Sequence, residues 1–521
     1  MNNPAKLSIW NLLFSSVADE MGIVLWRTGH SPNIRERKDF SCALFDINGG
    51  LVAQAAHIPV HLGAMPEAIK VLSRLSPWTT GDIAIVNDPY LGGTHLPDIT
   101  LAAPVFFKNN MIGFVTNRAH HADIGGMSAG SMPVASELYQ EGLIIPPMRL
   151  YKAGVCNQEV LELILRNVRT PSERKGDLEA QIGALAIGMT RLQSLAQKHG
   201  IDDLKFWMSE LKDYAERLTR AAIKEIPDGT YTAEDHMEGD GSDLLPIRVS
   251  TKIQGESVTF NFAGTAPQQQ SSINAVAAVT KSAVLYCIRC LLPKETPSNE
   301  GVSRPITTIL PKESLVNATP QHAVSAGNVE TSQRITDVIL RSLAQALPDR
   351  IPASSAGSMS NFTFGGVFDG QPFAYYETIP GGSGGSPSIA GEDGVQTHMT
   401  NTLNTPTEAL ETEFPVRVRN FSIRKQSGGL GAHPGGNGLI REIEFLTNLD
   451  ATIVGDRRKK GALGLNSGGD GLPARDTHIN IEGQEHILEG PIQINIKKGE
   501  RIRIETPGGG GWSPINEEMI D

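Results

Sequence analysis

The chain has 521 residues, 40% hydrophobic and 20% charged. That supports roughly two to four packed domains and excludes wholesale disorder. A net charge of −11 and a pI of about 5.7 disfavour non-specific nucleic-acid binding, which needs a basic face. Four cysteines cannot build a disulfide framework, and no apolar run reaches the ~18 residues of a membrane span, so the cytoplasm is the expected location.

Near the start, Ile9, Leu12, Leu13, Val17, Met21 and Val24 recur at helical spacing and predict an amphipathic helix. Strand-like runs follow at 41–45, 83–86, 99–107 and 112–116. Residues 157–226 change to helix formers, broken at Gly200 into a helical pair. After Pro227, alternating runs at 231–238, 247–253 and 258–262 predict an antiparallel sheet, with helices over 275–292 and 333–347 packed on it. The first of these helices carries Cys287 and Cys290. Without a second pair at metal spacing they read as buried thiols on one helix face. From residue 415 the chain is strand and glycine turn, with strands at 416–423, 439–445, 451–454, 479–481, 492–496 and 501–504.

The 54 glycines cluster at 92–93, 125–130, 381–385, 428–438, 461–471 and 508–511. They read as tight turns around a packed centre. The last cluster, running into Trp512, should pack on the body, because free glycines carry a large ordering entropy. The basic run Asp456, Arg457, Arg458, Lys459, Lys460 reads as a solvated loop. The predicted class is α+β and multi-domain. It comprises an N-terminal α/β metal-site part (1–156), a helical segment (157–226), a central α+β domain (227–414) and a β-rich, glycine-loop part (415–521).

The residues suited to chemistry concentrate between 35 and 142. NDPYLGGTHLPD (87–98) follows one predicted strand and NRAHHADIGG (117–126) ends another. Loops at strand ends on a rigid scaffold often carry sites. Histidine and carboxylate from two such ends can converge on one divalent ion, and imidazole with carboxylate suits Mn, Fe or Zn better than Ca or Mg. Asp39, before a predicted strand, offers a third carboxylate. On spacing alone, His95 with Asp98 is equally a loop hydrogen bond, and Asp88-Pro89 is turn chemistry. The block 327–334 either points backbone N–H groups at an anion or N-caps the helix it enters. His398 either faces the same cavity or is an ordinary loop histidine. No GxxxxGK[ST] phosphate loop and no strand–GxGxxG–helix occurs, which disfavours nucleotide chemistry within this chain.

These blocks resemble the hydantoinase B / 5-oxoprolinase family, whose relatives include caprolactamases and acetone carboxylase α subunits. The matching stretches are SPNIRERKDFSCALFD (31–46), NDPYLGGTHLPDITL (87–101), NRAHHADIGG (117–126), GNVETSQRITDV (327–338), THMTNTLNTPTEALE (397–411) and TPGGGGW (506–512). The resemblance implies a subunit of an ATP-dependent cyclic amide hydrolase that opens 5-oxoproline, hydantoin or caprolactam-type rings. It implies a hydantoinase A-like partner that binds ATP and Mg, in a hetero-oligomer of α2β2 type. It also implies one divalent transition metal (Mn, Zn or Fe) on Asp39, His95, Asp98 and His120, with His121 and Asp123 as neighbouring catalytic candidates. The alternatives are a ketone carboxylase subunit, in which bicarbonate takes part, and a metal-stabilised structural subunit. The match over 456–461 is loose, which bears on substrate and partner contacts more than on the metal ligands.

Overall fold

A computed structural model describes residues 4–55, 58–239 and 244–515. The class is α+β. The N-terminal part is built on a seven-stranded sheet of β1 (Phe40–Phe45), β2 (Leu51–Ala55), β3 (Ile83–Val86), β4 (Asp98–Phe107), β5 (Asn110–His120), β6 (Met148–Lys152) and β7 (Val155–Cys156). Its order is β2-β1-β5-β4-β3-β6-β7, with every neighbouring pair antiparallel. One face is covered by helices Pro4–Thr28 and Pro171–His199, the other by Ala64–Leu72. Both faces are buried, so β1 and β3 are apolar almost throughout instead of alternating.

Helix Pro4–Thr28 forms as expected, with its buried stripe rotated: Val17 and Met21 of the expected face stay inside, but Ile9 and Leu12 do not. Leu7, Trp10, Phe14, Val17, Met21 and Leu25 point inward, while Ile9 and Leu12 are 54% and 68% exposed. The helix is apolar nearly all round, so periodicity could not choose the inner stripe.

Helices Gln158–Arg166, Pro171–His199 and Ile201–Lys224 follow, the last two separated at Gly200, whose φ is 87°. Strands Gly229–Met237, Leu245–Gln254 and Ser257–Asn261 form the expected antiparallel sheet, and Ile306–Ile309 adds a parallel edge. Helix Ser332–Ala344 packs on it, and Ala277–Leu291 packs on that helix. Cys287 is buried as expected, but Cys290, one turn later on the same helix, is exposed.

Two further sheets enclose a second core containing Phe362, Phe364, Phe414, Phe445 and Ile502. One contains Gln371–Thr378, Asn361–Phe368, Leu449–Val454 and Ile492–Ile496, and so draws strands from both sides of residue 415. The other runs Val416–Arg424, Gly438–Phe445, Arg501–Glu505, Arg475–Ile479 and Glu485–Leu488.

The later glycine clusters are stacked backbone segments more than turns. Gly509 N–H donates to Gly436 O at 2.9 Å, and Gly385 N–H to Gly510 O at 2.8 Å. A Cβ on Gly509 would stand 2.0 Å from Ser383 O. Glycine is needed here for absent bulk, since residues 508–511 are not in the left-handed region. They are buried, and Trp512 bridges to His433 and Leu465, so the tail packs on the body as expected.

The basic run is not a solvated loop at its start. Arg457 lies buried between Asp235 (2.8 Å) and Asp337 (2.9 Å), and Arg334 pairs with Asp456 (2.6 Å) and Asp235 (3.1 Å). The Glu238 carboxylate accepts the backbone N–H groups of Arg458, Lys459 and Lys460. The partners lie 120 to 222 residues away in sequence, so the run looks isolated when read locally.

Candidate metal centre

Asp98 opens β4 and His120 closes β5, and the two are direct cross-strand partners. Directly opposed residues project to one side of a sheet, so register alone brings carboxylate and imidazole together. His95 folds back over Asp98 because the Asp98 N–H donates to His95 O across a turn at 3.1 Å. Asp39 arrives beside them: Phe40 pairs with Ala119, and His120 N–H donates to Asp39 O at 3.0 Å.

His95 Nε2, Asp98 Oδ1 and His120 Nδ1 meet in a buried triangle. The edges are 3.2 Å (His95 to His120), 3.2 Å (His95 to Asp98) and 3.3 Å (His120 to Asp98). A four-coordinate ion with bonds of about 2.0–2.1 Å sets its ligand atoms ~3.3 Å apart. Three atoms with lone pairs facing one centre at that spacing form a donor set that fits a divalent transition metal.

Asp39 lines the same cavity, and its carboxylate lies 4.0 Å from the Arg37 guanidinium. His61 lines it too, although its sequence neighbourhood did not single it out. Its Nε2 lies 3.4 Å from Asp98 Oδ2 and its Nδ1 2.9 Å from Ser41 Oγ, so it braces the carboxylate from behind together with the Thr94 hydroxyl. The only local signal was a histidine after a proline in an apolar stretch, IPVH.

Later segments close the cavity with Asn328, Met359, Tyr376 and Thr400. The Tyr376 ring stacks on His120 at 4.5 Å and 16°, and the Arg37 guanidinium also lies over the Tyr376 ring at 4.7 Å. The cavity measures about 20 Å³, room for little more than one ion or water.

The electrostatics favour the metal-binding protonation state at Asp98. Burial works to raise its pKa, but His95 and His61 outweigh that and hold it well below the usual carboxylate range. Burial lowers the His120 pKa, and the nearby Asp39 and Asp98 restore it only in part. For His95 burial also works downward, but Asp98 and Asp39 prevail and raise its pKa.

Other expected residues lie elsewhere. His121 points to the opposite side from His120, as an extended segment requires. Its Nε2 is 2.9 Å from Gln181 Oε1, and burial pushes its pKa down to about 4. The Asp123 carboxylate accepts from the Arg169 side chain at 2.8 Å and from the backbone N–H of Arg169 and Gly125. Neither lines the cavity. His398 is buried beside Tyr286 and Asp337, while the next residues, Met399 and Thr400, reach the cavity wall. Residues Gly327–Thr331 form a π turn leading into helix Ser332–Ala344, with no side-chain cap.

The family model for hydantoinase B/oxoprolinase matches residues 3–514. The chain is 38% identical over 538 residues to 5-oxoprolinase 1 of Arabidopsis thaliana, covering 97% of this chain but 41% of that longer protein. It is 33% identical over 533 residues to a Pseudomonas protein provisionally named as the B-type component of a D-/L-hydantoinase, covering 96% of this chain and 89% of the relative. Among solved structures, the ATP-dependent caprolactamase from Pseudomonas jessenii superposes with a TM-score of 0.90 at 28% identity, covering 99% of this chain and 92% of that one. Among the described residues, no helix is long and apolar enough to cross a membrane.

Proposed function

The chain belongs to the hydantoinase B/oxoprolinase family, and from that premise we propose that it is the metal-holding subunit of a two-component, ATP-dependent amidohydrolase that opens a lactam or cyclic imide ring. The observation that carries this reading is the buried convergence of His95, Asp98 and His120. Asp39 stands outside the triad His95, Asp98 and His120 but lines the same cavity, and it completes the set as the fourth ligand. The ion is Mn, Zn or Fe. ATP and Mg belong to a hydantoinase A-like partner in an α2β2-type assembly. The Pseudomonas relative, named as one component of a hydantoinase, supports a division of labour, as does the relative in which this region fills 41% of a longer chain.

A ring amide resists water because resonance stabilises its carbonyl. Transfer of a phosphoryl group to the carbonyl oxygen creates a leaving group and exposes the carbon. A divalent ion on this donor set supplies Lewis-acid polarisation or an activated water. The chain's own residues have distinct tasks. His95, Asp98 and His120 orient the donor atoms, and Tyr376 and Met359 exclude bulk water. His61, set between the Ser41 hydroxyl and the Asp98 carboxylate, fixes the orientation of that carboxylate. His121 and Asp123, tied to Gln181 and Arg169, hold the β5 end in place and do not touch substrate.

The test is product analysis. The chain is combined with its ATP-binding partner, ATP and, in turn, 5-oxoproline, a hydantoin and caprolactam. A ring-opened amino acid formed with matching ADP release supports the reading. A β-keto acid formed from a ketone and bicarbonate would overturn it in favour of carboxylation.

A further inference from the structure

The π turn Gly327–Thr331 is a wall between two cavities. Asn328 and Val329 face the small cavity of the metal centre. Glu330 points the other way, towards a cleft of about 820 Å³ also lined by Asp456, Arg458 and Arg475. A π turn inside a helical segment is a recurrent feature of functional sites. Glu330 is 1% exposed, and among the described residues no Lys or Arg nitrogen makes an ion pair with it. Burial pushes its pKa up to about 8, against the pull of the Ser358 hydroxyl and Arg458.

Its oxygens are instead fully engaged. One accepts from Met359 N–H (3.0 Å) and from Asn361 Nδ2 (2.7 Å), the other from Asp456 N–H (2.9 Å). Asn361 Nδ2 also donates to Val454 O at 2.9 Å. Two acceptors on one side determine which way this amide faces. Its Oδ1 must then point at the Tyr376 hydroxyl, which donates to it at 3.0 Å. Tyr376 is thereby held with its ring face, not its oxygen, against His120.

Resting on the metal reading above, we propose that Glu330 is a positioning residue for the metal centre, fixing the ring plane of His120 through Asn361 and Tyr376. The direction of His120 Nδ1 towards Asp98 and His95 follows from that plane. Groups that orient a metal-binding imidazole commonly govern affinity about 10- to 100-fold.

Glu330→Gln places an amide N–H₂ against the Asp456 N–H, donor against donor, and loosens the chain at its origin. Tyr376→Phe removes one oxygen and cuts the chain at its end. The experiment is titration of the purified full chain with Co²⁺, for wild type, both single variants and the double variant, with circular dichroism as a fold control. Each single variant should bind Co²⁺ about tenfold more weakly. The double variant should be no weaker than the poorer single one, because both changes break the same connection. Single variants that bind Co²⁺ like wild type, or losses that multiply in the double variant, overturn the proposal. Should Glu330→Gln fail to fold, unchanged affinity in Tyr376→Phe is sufficient to overturn it. A wild type that takes up no Co²⁺ fails differently: it overturns the metal reading, and this proposal with it.

Discussion

Replacing Arg457 by methionine separates a buried ion-pair knot from a solvated basic loop. Arg457 is 2% exposed, donates to Asp235 and Asp337 at 2.8 and 2.9 Å, and also donates to Gly461 O at 3.2 Å. Methionine fills most of the volume but leaves two buried carboxylates with Arg334 as their remaining close cation. Removing one partner of a buried pair costs about 3–5 kcal/mol. The lower end applies near pH 6, because Asp337 can escape by holding a proton: burial and the neighbouring Asp235 raise its pKa to about 8 despite Arg334. The sign follows from linkage. A carboxyl raised in the folded state contributes stability that is fully present below its unfolded pKa of 3.8 and is lost as pH rises through about 8. Loss of Arg457 raises Asp337 further, so the variant keeps losing stability above pH 8 while the wild type levels off. Urea unfolding followed by circular dichroism at pH 6 and pH 9 should show a cost of about 3 kcal/mol that grows at the higher pH. A cost under about 0.5 kcal/mol at both pH values, as for an exposed side chain, would refute the knot.

Gly509→Ala should abolish soluble expression or lower the melting temperature sharply, because the new methyl meets Ser383 O at 2.0 Å in a layer with backbone on both sides. Differential scanning calorimetry checks this, and a melting point within a degree of wild type would count against the stacked-glycine account. Burial raises all three thiols above the ordinary value, so access decides: iodoacetamide on the native protein should modify exposed Cys290 before buried Cys42 and Cys287. Peptide mass mapping showing Cys287 labelled first would contradict the helix orientation.

Much of the fold was legible because the signals are local. The strand pattern in 41–116, the break at Gly200 and the alternation after Pro227 each reflect the chain's own dihedral and burial preferences. What escaped depends on distant partners. The outer and inner faces of Pro4–Thr28 carry similar apolar residues, so only the packed sheet could choose between them. Cys287 and Cys290 share one helix and a CxxC spacing, yet tertiary packing buries the first and leaves the second exposed. The glycine clusters announce that a Cβ is unwelcome, but not whether the cause is a turn or another backbone pressed close.

The same division runs through the candidate site. His95, Asp98 and His120 were marked by residue type and by their position at strand ends, and β4–β5 register brings them together. The opposed directions of His120 and His121 follow from an extended backbone. His61 comes from a short turn without any flanking motif, and Tyr376 from the polar stretch Tyr375–Thr378 on a strand; both join the site only through tertiary packing.

The most direct measurement is elemental analysis of the purified, dialysed chain beside Asp39→Ala, His95→Ala, Asp98→Ala and His120→Ala. The account predicts about one divalent transition ion per wild-type chain. It predicts near-complete loss in the His95, Asp98 and His120 variants and a partial loss in Asp39→Ala, all with native circular dichroism. A metal-free wild type that opens rings fully with its partner, or alanine variants that retain all their metal, would contradict it.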